Sequence, residues 1–371
     1  MAVFALTTVS TAAAFAGSAA STNDIVYISR DGVLFSDTDA FGNHQVALSA
    51  FGNNMKYYIN GEVFGGIDGY AAGTEFHIGS TGRLTTDLFN QFNEASFWNA
   101  GVMASGSSLV ISKYNDDSDP EFSNDLHIRN SGQIIGGPDA GTYSGSSTIE
   151  SDGALTWIHN SGEIFGEISA IEVLGGKSVI INTGTITGNV ALADTDDKVV
   201  NDGLIDGDLD LGEGKNLYVS RGDGLVTGQV VGGDGNDTMK GGAGDDDLFG
   251  DRGADSLMGR GGEDTLSGGA GRDTLNGGGG DDTLDGGNGA DVFTFRRHDG
   301  DDVIVDFQNN SDLIDISAFG LLAADFGSVV TAALSETSNG VLLDFSMMGG
   351  SGTVQIDGLT LANADATDFI F

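Results

Sequence analysis

The chain has 371 residues, of which 61 are glycine, two are proline and none is cysteine. Its 55 acidic and 15 basic residues give a formal net charge of −40, which excludes the basic surface that nucleic-acid binding requires and disfavours unaided binding to anionic membranes. Without cysteine there are no disulfides, no thiol catalysis and no cysteine-ligated zinc, so a hard cation is the partner that this much carboxylate favours.

Residues 1–23 form the first predicted segment, which is either a cap over the end of the fold or a signal-like leader. The segment is small and apolar and ends in the run Ala-Gly-Ser-Ala-Ala at 16–20, like a cleavage site. No Lys or Arg precedes Arg30, so the positive region of a signal peptide is missing, and a first strand or cap is the preferred interpretation. No stretch of the chain is apolar over the ~20 residues of a transmembrane helix.

Residues 24–231 carry a loose repeat in which Asn-x-Gly is followed by alternating apolar residues. Asn-x-Gly favours a turn, and the alternation favours a strand. From Gly61 the steps between the marker glycines are 21, 19, 31, 30, 22, 19 and 21 residues. A step near 20 residues is typical of one coil of a parallel β-helix, so the two long steps predict coils with inserted loops. The clearest copies begin at Asn130, Asn160, Asn182 and Asn201, and fainter ones surround Gly61, Gly82, Gly101 and Gly224.

Acidic residues near the end of this region are the candidates for acid–base catalysis. An enzyme that acts on an acidic sugar needs clustered carboxylates together with basic residues, and here the nearest basic residues are Lys198 and Arg221. In so acidic a chain we interpret such a run as a solvated face, and the acidic segment 115–121 as an exposed insertion. The acids concerned are Asp194, Asp196, Asp197, Asp202, Asp206, Asp208 and Asp210.

The histidines lack the spacing of a zinc protease. No two of them are four residues apart, and no His-Glu-x-x-His motif occurs. The sequence therefore predicts no catalytic residue of this class. The five are His44, His77, His127, His159 and His298.

From Gly232 to Thr294 a nine-residue pattern, Gly-Gly-x-Gly-x-Asp-x-(apolar)-x, repeats seven times in unbroken register. The glycines allow positive φ angles and close backbone packing, and the apolar eighth residue is the inward side chain of a short strand. Two repeats then make one coil, so the loops and their sixth-position acids alternate between two sides. Asp237, Asp255, Asp273 and Asp291 lie on one side, and Asp246, Asp264 and Asp282 lie on the other.

These loops are the predicted metal site. Stacked carboxylates a few ångströms apart repel one another, and a hard cation with oxygen ligands removes that repulsion. Backbone carbonyls of the loops would complete the six to eight oxygens that calcium prefers. The predicted site residues are the seven aspartates and the loop glycines Gly233, Gly235, Gly242, Gly244, Gly253, Gly262, Gly269, Gly271, Gly278, Gly280, Gly287 and Gly289.

This block resembles the calcium-binding parallel β-roll of the RTX proteins (repeats-in-toxin, haemolysin-type), which are exported by type I secretion. The resemblance implies several Ca²⁺ ions held between loops two repeats apart, at the aspartate pairs 237/255, 255/273 and 273/291 on one side and 246/264 and 264/282 on the other. The second glycine is replaced by Asp251 in the third repeat and by Arg260 in the fourth. Weaker or distorted sites are expected at those two loops.

Residues 295–371 continue the resemblance as a C-terminal cap and type I secretion signal. The runs Gly-Asp-Asp-Val-Ile-Val-Asp-Phe at 300–307 and Asp-Leu-Ile-Asp-Ile-Ser at 312–317 resemble the cap that follows RTX repeats. The chain ends Asp-Phe-Ile-Phe, which resembles the uncleaved secretion signal. A last strand that covers the exposed edge of a solenoid is a compatible second interpretation.

The predicted fold is all-β: a parallel β-solenoid (β-helix) over 24–231 that continues into the β-roll over 232–294, with a small β cap over 295–371. We expect a secreted calcium-binding protein, extracellular or on the surface of a Gram-negative bacterium, that is not an enzyme and serves in a surface layer, a matrix or adhesion. Its expected partners are calcium, the secretion machinery, and either itself or a surface glycan. Two alternatives stay open: a carbohydrate-active β-helix enzyme (polysaccharide lyase or epimerase) with an RTX module, and a simple glycan-binding adhesin.

Overall fold

The computed structural model divides the chain into two compact units, Met1–Thr195 with Gly203–Asp208, and Asp196–Asp202 with Leu209–Phe371. Most of 1–23 and all of 115–121 lie outside the described residues. The choice between a cap and a leader for 1–23 and the assignment of 115–121 to an exposed insertion therefore both stay predictions. No helix in the described part is long and apolar enough to span a membrane. The described residues are 3–6, 10–11, 25–28, 33–35, 46–50, 55–64, 66–69, 73–85, 89–90, 95–104, 111–112, 125–136, 147–151 and 154–371.

The first unit is a parallel β-solenoid whose successive coils add strands to two main sheets. One sheet contains Val3–Leu6, Ile25–Ile28, Lys56–Ile59, Thr74–Ile78, Ala95–Asn99, Leu126–Asn130, Leu155–Asn160 and Lys177–Asn182. The other contains Ser10–Thr11, Val33–Phe35, Glu62–Phe64, Arg83–Thr85, Val102–Ala104, Gln133–Ile135, Ser147–Ser151, Glu163–Val173, Thr185–Ala191 and Leu204–Asp206. A third, smaller sheet contains Val46–Ala50, Gly66–Gly69, Phe89–Asn90 and Ile111–Ser112.

The alternating pattern places one row of side chains from each main sheet inside this solenoid. In the first sheet Tyr57, Phe76 and Phe97 lie in register and are at most 2% exposed, and their rings stack at centroid distances of 4.9 and 5.0 Å. Aliphatic residues continue the row, and the second sheet contributes a row from Val63 to Ile205. Apolar burial in continuous rows stabilises each coil on the one before it.

The asparagine of the Asn-x-Gly marker forms a buried ladder from coil to coil. Asn99 Nδ2 donates to Asn130 Oδ1 at 2.9 Å, Asn130 to Asn160 at 2.8 Å, and Asn160 to Asn182 at 2.8 Å. The marker glycine is needed because a Cβ on Gly132 would collide with the backbone of the coil before it. The motif therefore sets the stacking of the coils as well as the turn.

The second unit is also a parallel solenoid with two main sheets. One sheet contains Lys198–Asn201, Leu217–Ser220, Thr238–Lys240, Ser256–Gly261, Thr274–Gly279, Val292–Thr294, Leu313–Asp315 and Phe369–Ile370. The other contains Leu209–Asp210, Gln229–Val231, Asp247–Phe249, Thr265–Ser267, Thr283–Asp285, Gly300–Ile304 and Gly352–Asp357. Short strands Arg252–Gly253, Ala270–Gly271 and Asn288–Gly289 form a third sheet, and Leu225–Val226 is a further strand.

The C-terminal part of the second unit changes from parallel to antiparallel pairing. Gly340–Asp344 pairs antiparallel with Gly352–Asp357 and with Leu334–Glu336. Short helical turns accompany this hairpin: 3₁₀ turns at Ser317–Phe319, Ala323–Asp325, Phe345–Met348 and Ala366–Asp368, a π turn at Phe326–Val330 and an α turn at Thr331–Ala333. The predicted all-β parallel solenoid with a β-roll and a small β cap is confirmed, and the cap contains more helical turns than its sequence suggested.

Candidate metal centre

The nonapeptide strands pair 18 residues apart, so two repeats make one coil. Thr238–Lys240 pairs in parallel with Ser256–Met258, and Asp247–Phe249 pairs with Thr265–Ser267. All seven eighth-position residues, from Met239 to Phe293, are at most 1% exposed, and the seven sixth-position aspartates are at most 3% exposed. Each short strand therefore anchors an apolar side chain inside and holds a buried carboxylate at the adjoining loop.

The carboxylates form two hydrogen-bonded ladders, one on each side. In the first, the Asp237 N–H donates to Asp255 Oδ1 at 2.7 Å, and the N–H groups of Asp255 and Asp273 donate to the next carboxylate at 2.8 Å. In the second, the N–H groups of Asp246 and Asp264 donate to the next carboxylate at 2.9 Å. One oxygen of each linked carboxylate is thereby fixed in place by the neighbouring coil.

The second carboxylate oxygen is buried and has no hydrogen-bond donor within the described residues. This holds for Oδ2 of Asp237, Asp255, Asp264, Asp273, Asp282 and Asp291. Asp246 differs, because its Oδ2 accepts from the Gly242 N–H at 2.6 Å. A buried carboxylate oxygen without a partner is costly, so six such atoms in register indicate that the loops hold a cation.

A glycine carbonyl oxygen lies beside four of the orphaned Oδ2 atoms, those of Asp237, Asp255, Asp264 and Asp273. A Cβ on Gly250 would lie 2.6 Å from Asp255 Oδ2 and 2.7 Å from the Gly268 carbonyl oxygen. A Cβ on Gly268 would lie 2.8 Å from both Asp273 Oδ2 and the Gly286 carbonyl oxygen. The first glycine of the repeat thus leaves open a small space between a carboxylate oxygen and a carbonyl oxygen, the two kinds of protein oxygen that calcium takes as ligands. The residues present fit this ion.

Burial raises the pKa of every sixth-position aspartate, and neighbouring carboxylates raise it further at most of them. The pKa is about 6 for Asp237 and Asp291 and about 7 for Asp255 and Asp264, where desolvation is the largest cause. The pKa values of Asp246, Asp273 and Asp282 are also raised. A divalent cation between the loops would reverse both effects, because it favours the ionised carboxylate.

The loop glycines are required by backbone conformation and by close stacking. Gly235, Gly253 and Gly271 have positive φ, and a Cβ on any of them would collide with the carbonyl group of the loop one coil earlier. Among the other predicted glycines, φ is also positive at Gly233, Gly262, Gly269, Gly278, Gly280 and Gly287. Gly289 meets the Gly271 carbonyl group in the same way, whereas Gly242 and Gly244 have no positive φ.

The two loops that lack the second glycine keep its backbone conformation. Asp251 has φ of 69° and Arg260 has φ of 86°, both in the left-handed region that disfavours a side chain. Arg260 gains compensation, because its guanidinium donates to the carbonyl oxygens of Ser220 and Gly241 at 2.8 and 2.9 Å. Asp251 instead brings another negative charge that raises the pKa values of Asp237 and Asp255.

The ladders extend beyond the seven repeats to residues that the sequence did not single out as ligands. The N–H groups of Asp282 and Asp291 donate to Oδ1 of Asp302 and Asp312, each at 3.0 Å. Burial, together with nearby carboxylates, raises the pKa of Asp302 to about 8. In the sequence, each of these aspartates stands two residues before an apolar residue, as in the repeats. Asp302 follows Asp282 by 20 residues and Asp312 follows Asp291 by 21, instead of the regular 18.

The first ladder also extends toward the N-terminus. The Asn216 N–H donates to Asp237 Oδ1 at 2.7 Å, and Asn216 Oδ1 accepts from the Asp197 N–H at 2.8 Å. Asp197 is 2% exposed, so its assignment to a solvated face was wrong, whereas the other six acids of that run are exposed. Within the described residues there is no cluster of three or more His, Cys, Asp or Glu side chains placed to hold a metal ion.

Comparison with known proteins identifies the repeat block. Residues 229–257 and 258–293 match the family model of the RTX calcium-binding nonapeptide repeat (4 copies). Among solved structures, the chain is similar to the AlgE6R3 subunit of the Azotobacter vinelandii mannuronan C5-epimerase, with 31% identity over 39% of this chain and 81% of that chain and a TM-score of 0.18. No protein of curated function matches the chain. The family match covers the loops that carry both carboxylate ladders.

Proposed function

Since the chain belongs to the RTX calcium-binding proteins, we propose that calcium folds its repeat block outside the cell and thereby completes a structural or adhesive protein. The single observation that carries this proposal is the row of buried, unpartnered Oδ2 atoms, four of which lie beside a glycine carbonyl oxygen. Calcium supplies the positive charge that this arrangement lacks.

The proposed ligands are the aspartates and loop backbone of the two ladders. Asp255 and Asp273 would contribute Oδ2, and the first-glycine carbonyls, such as that of Gly268, would contribute further oxygens between successive coils. Loops that use Asp251 or Arg260 in place of glycine retain the backbone shape and hence the direction of their carbonyl groups. We propose the same role for the other sixth-position aspartates and the loop glycines predicted from the sequence.

The energetics make folding depend on the compartment. Extracellular calcium modules bind with a Kd of about 10⁻⁴ to 10⁻³ M, and at ~100 times Kd each site adds about 2.7 kcal/mol to the folded state. Several sites together are comparable with the whole stability of a domain, about 5–15 kcal/mol. Where free calcium is scarce this contribution vanishes, so the block stays loose inside the cell and folds after export.

The place of action that we propose is the outside of a Gram-negative bacterium, reached by type I secretion. The C-terminal residues 295–371 support this proposal because the runs at 300–307 and 312–317 resemble the cap that follows RTX repeats. A stack of parallel coils presents long, regular faces suited to contact with copies of itself or with a surface polymer. On this basis we propose a surface-layer, matrix or adhesive role without enzyme activity.

The experiment is a calcium titration of the full chain, prepared in chelator and followed by far-ultraviolet circular dichroism. The calcium-free chain should gain β structure cooperatively as calcium rises into the millimolar range. Asp273→Asn should shift the midpoint to higher calcium, whereas the matched control Asp247→Asn, which removes one charge from an exposed position, should leave it nearly unchanged. Full β structure in chelator, unaltered by calcium, would refute the proposal.

A further inference from the structure

The outward side of the first unit's larger sheet carries an unusual set of side chains, which we call the aromatic face. It comprises the outward residues of the six strands from Lys56–Ile59 to Lys177–Asn182. Both tryptophans of the chain, Trp98 and Trp157, and three of its five histidines lie here. Such rigid, amphipathic rings are the side chains most enriched at binding surfaces.

The rings on this face form a stack that stops abruptly. Tyr58 and His77 stack at 4.6 Å, and His77 and Trp98 stack at 4.4 Å with an interplanar angle of 2°. The next position in register is Arg129, whose guanidinium carbon lies 5.3 Å from the centre of the Trp157 ring. Packing between coils accounts for the ring stack up to Trp98. It does not account for an arginine placed between two tryptophans.

Two cavities open at this break, one on each side of the Trp98–Arg129 pair. The larger, about 480 Å³, is lined by the rings of His77, Trp98 and His159 and by polar groups of Arg129, Asn60 and Ser131. The smaller, about 380 Å³, lies between Trp98, Arg129 and Trp157. Ring surfaces with a few convergent polar groups are typical of sites for small organic ligands.

The charge of the aromatic face is opposite to that of the chain. Its outward strand positions carry Lys56, Arg129 and Lys177 but only one carboxylate, Glu75, which is paired with Lys56 at 2.7 Å. Within the described residues, no carboxylate forms an ion pair with Arg129. A cationic island in a chain of net charge −40 indicates local selection for an anion. The Debye length is ~8 Å at physiological salt, so acidic residues elsewhere on the chain repel an anion bound at this face only weakly.

We propose that the aromatic face binds a carboxylated polysaccharide, with Arg129 pairing with a uronate carboxylate and sugar rings packing against Trp98 and Trp157. Guanidinium matches a carboxylate in bidentate geometry. The two cavities on either side of Arg129 provide space for neighbouring sugars of one chain, and Asn60 and Ser131 face hydroxyl groups. This inference rests on the adhesive part of the proposed function and names its ligand class.

The tryptophans make the test specific, because both of them, the dominant reporters of intrinsic fluorescence, lie on the aromatic face. The full chain in millimolar calcium is titrated with hexamers of galacturonate, mannuronate and glucuronate-containing hyaluronan, each compared with its carboxyl-reduced form. At least one acidic hexamer should change the fluorescence saturably, and its reduced form should bind at least about tenfold more weakly. Arg129→Gln should weaken binding about ten- to hundredfold.

The matched control is Arg252→Gln, which removes the same charge from an exposed arginine of the second unit and should leave binding unchanged. Equal binding of the reduced hexamer, an Arg129→Gln affinity equal to that of the control, or no response to any acidic hexamer would each overturn the inference. If the proposed function fails, the circular dichroism spectrum of the chain will instead stay the same when calcium is added. Release of unsaturated products during the titration would show that the face belongs to a lyase, and would overturn the purely adhesive assignment.

Discussion

Replacing Asp255 by asparagine should stabilise the calcium-free repeat block and weaken its response to calcium. The raised pKa, from 3.8 to about 7, means that the ionised side chain costs the folded state up to about 4 kcal/mol at pH 8. Asparagine removes this cost but retains an Oδ1 acceptor for the Asp237 N–H, as Asn216 already does for the Asp197 N–H. We expect a gain of about 1–4 kcal/mol without calcium.

The sign of the effect depends on pH. A carboxyl whose pKa is raised by folding stabilises the fold fully below its unfolded pKa, and this contribution is lost as pH rises through the folded value. Asp255→Asn should therefore stabilise the calcium-free chain at pH 8 and have little effect at pH 5, where Asp255 is already protonated.

The assay is circular dichroism against pH in calcium-free buffer, followed by calcium titration at pH 8, with Asp247→Asn as the control. The wild-type block should gain β structure as pH falls from 8 toward 5, above the isoelectric point of about 4.1. Asp255→Asn should move this transition to higher pH and reduce the further gain of β structure that calcium produces. A pH transition that does not move, or a calcium-induced gain equal to that of the control, would refute the reasoning.

Three further predictions follow from the same structure. Protons compete with calcium for Asp255 and Asp264, whose pKa values are about 7. The calcium midpoint of the wild-type chain should therefore be higher at pH 6 than at pH 8, and isothermal titration calorimetry that gives the same midpoint at the two pH values would contradict this. Asp251→Gly should stabilise the calcium-free block by up to about 1 kcal/mol, because the backbone strain removed at φ of 69° exceeds the entropy cost of glycine. A lower urea midpoint for the variant than for the wild-type chain would disprove this prediction. Asn130→Ala should destabilise the first unit by about 2–4 kcal/mol, because it removes the two hydrogen bonds that Asn130 Nδ2 donates and the two that its Oδ1 accepts. An unchanged thermal midpoint would count against the ladder.

The repeats made much of the fold predictable. The nine-residue register placed Met239 through Phe293 inside and the aspartates at alternate loops, because a fixed period with glycine turns permits few structures. The looser Asn-x-Gly repeat gave the parallel coils of the first unit. Its buried ladder through Asn130 was not predictable, since a local motif does not show that its side chain bonds to the next coil.

The extensions of the carboxylate ladders were harder to predict. Asp302 and Asp312 follow irregular spacings, and Asp197 stands in an acidic run that composition alone assigns to solvent. Their burial depends on which coil each strand joins, and only pairing across 19–21 residues reveals that. The aromatic face was invisible for the same reason, because Trp98 and Trp157 lie 59 positions apart and become neighbours only through stacking of coils.

Hydrogen–deuterium exchange of the full chain, compared in chelator and in millimolar calcium, tests the central claim most directly. If calcium held by the buried carboxylates folds the repeat block, amides from about 232 to 315 should exchange rapidly in chelator and become protected together when calcium is added. Strong protection of these amides in chelator, or protection that calcium leaves unchanged, would contradict the account.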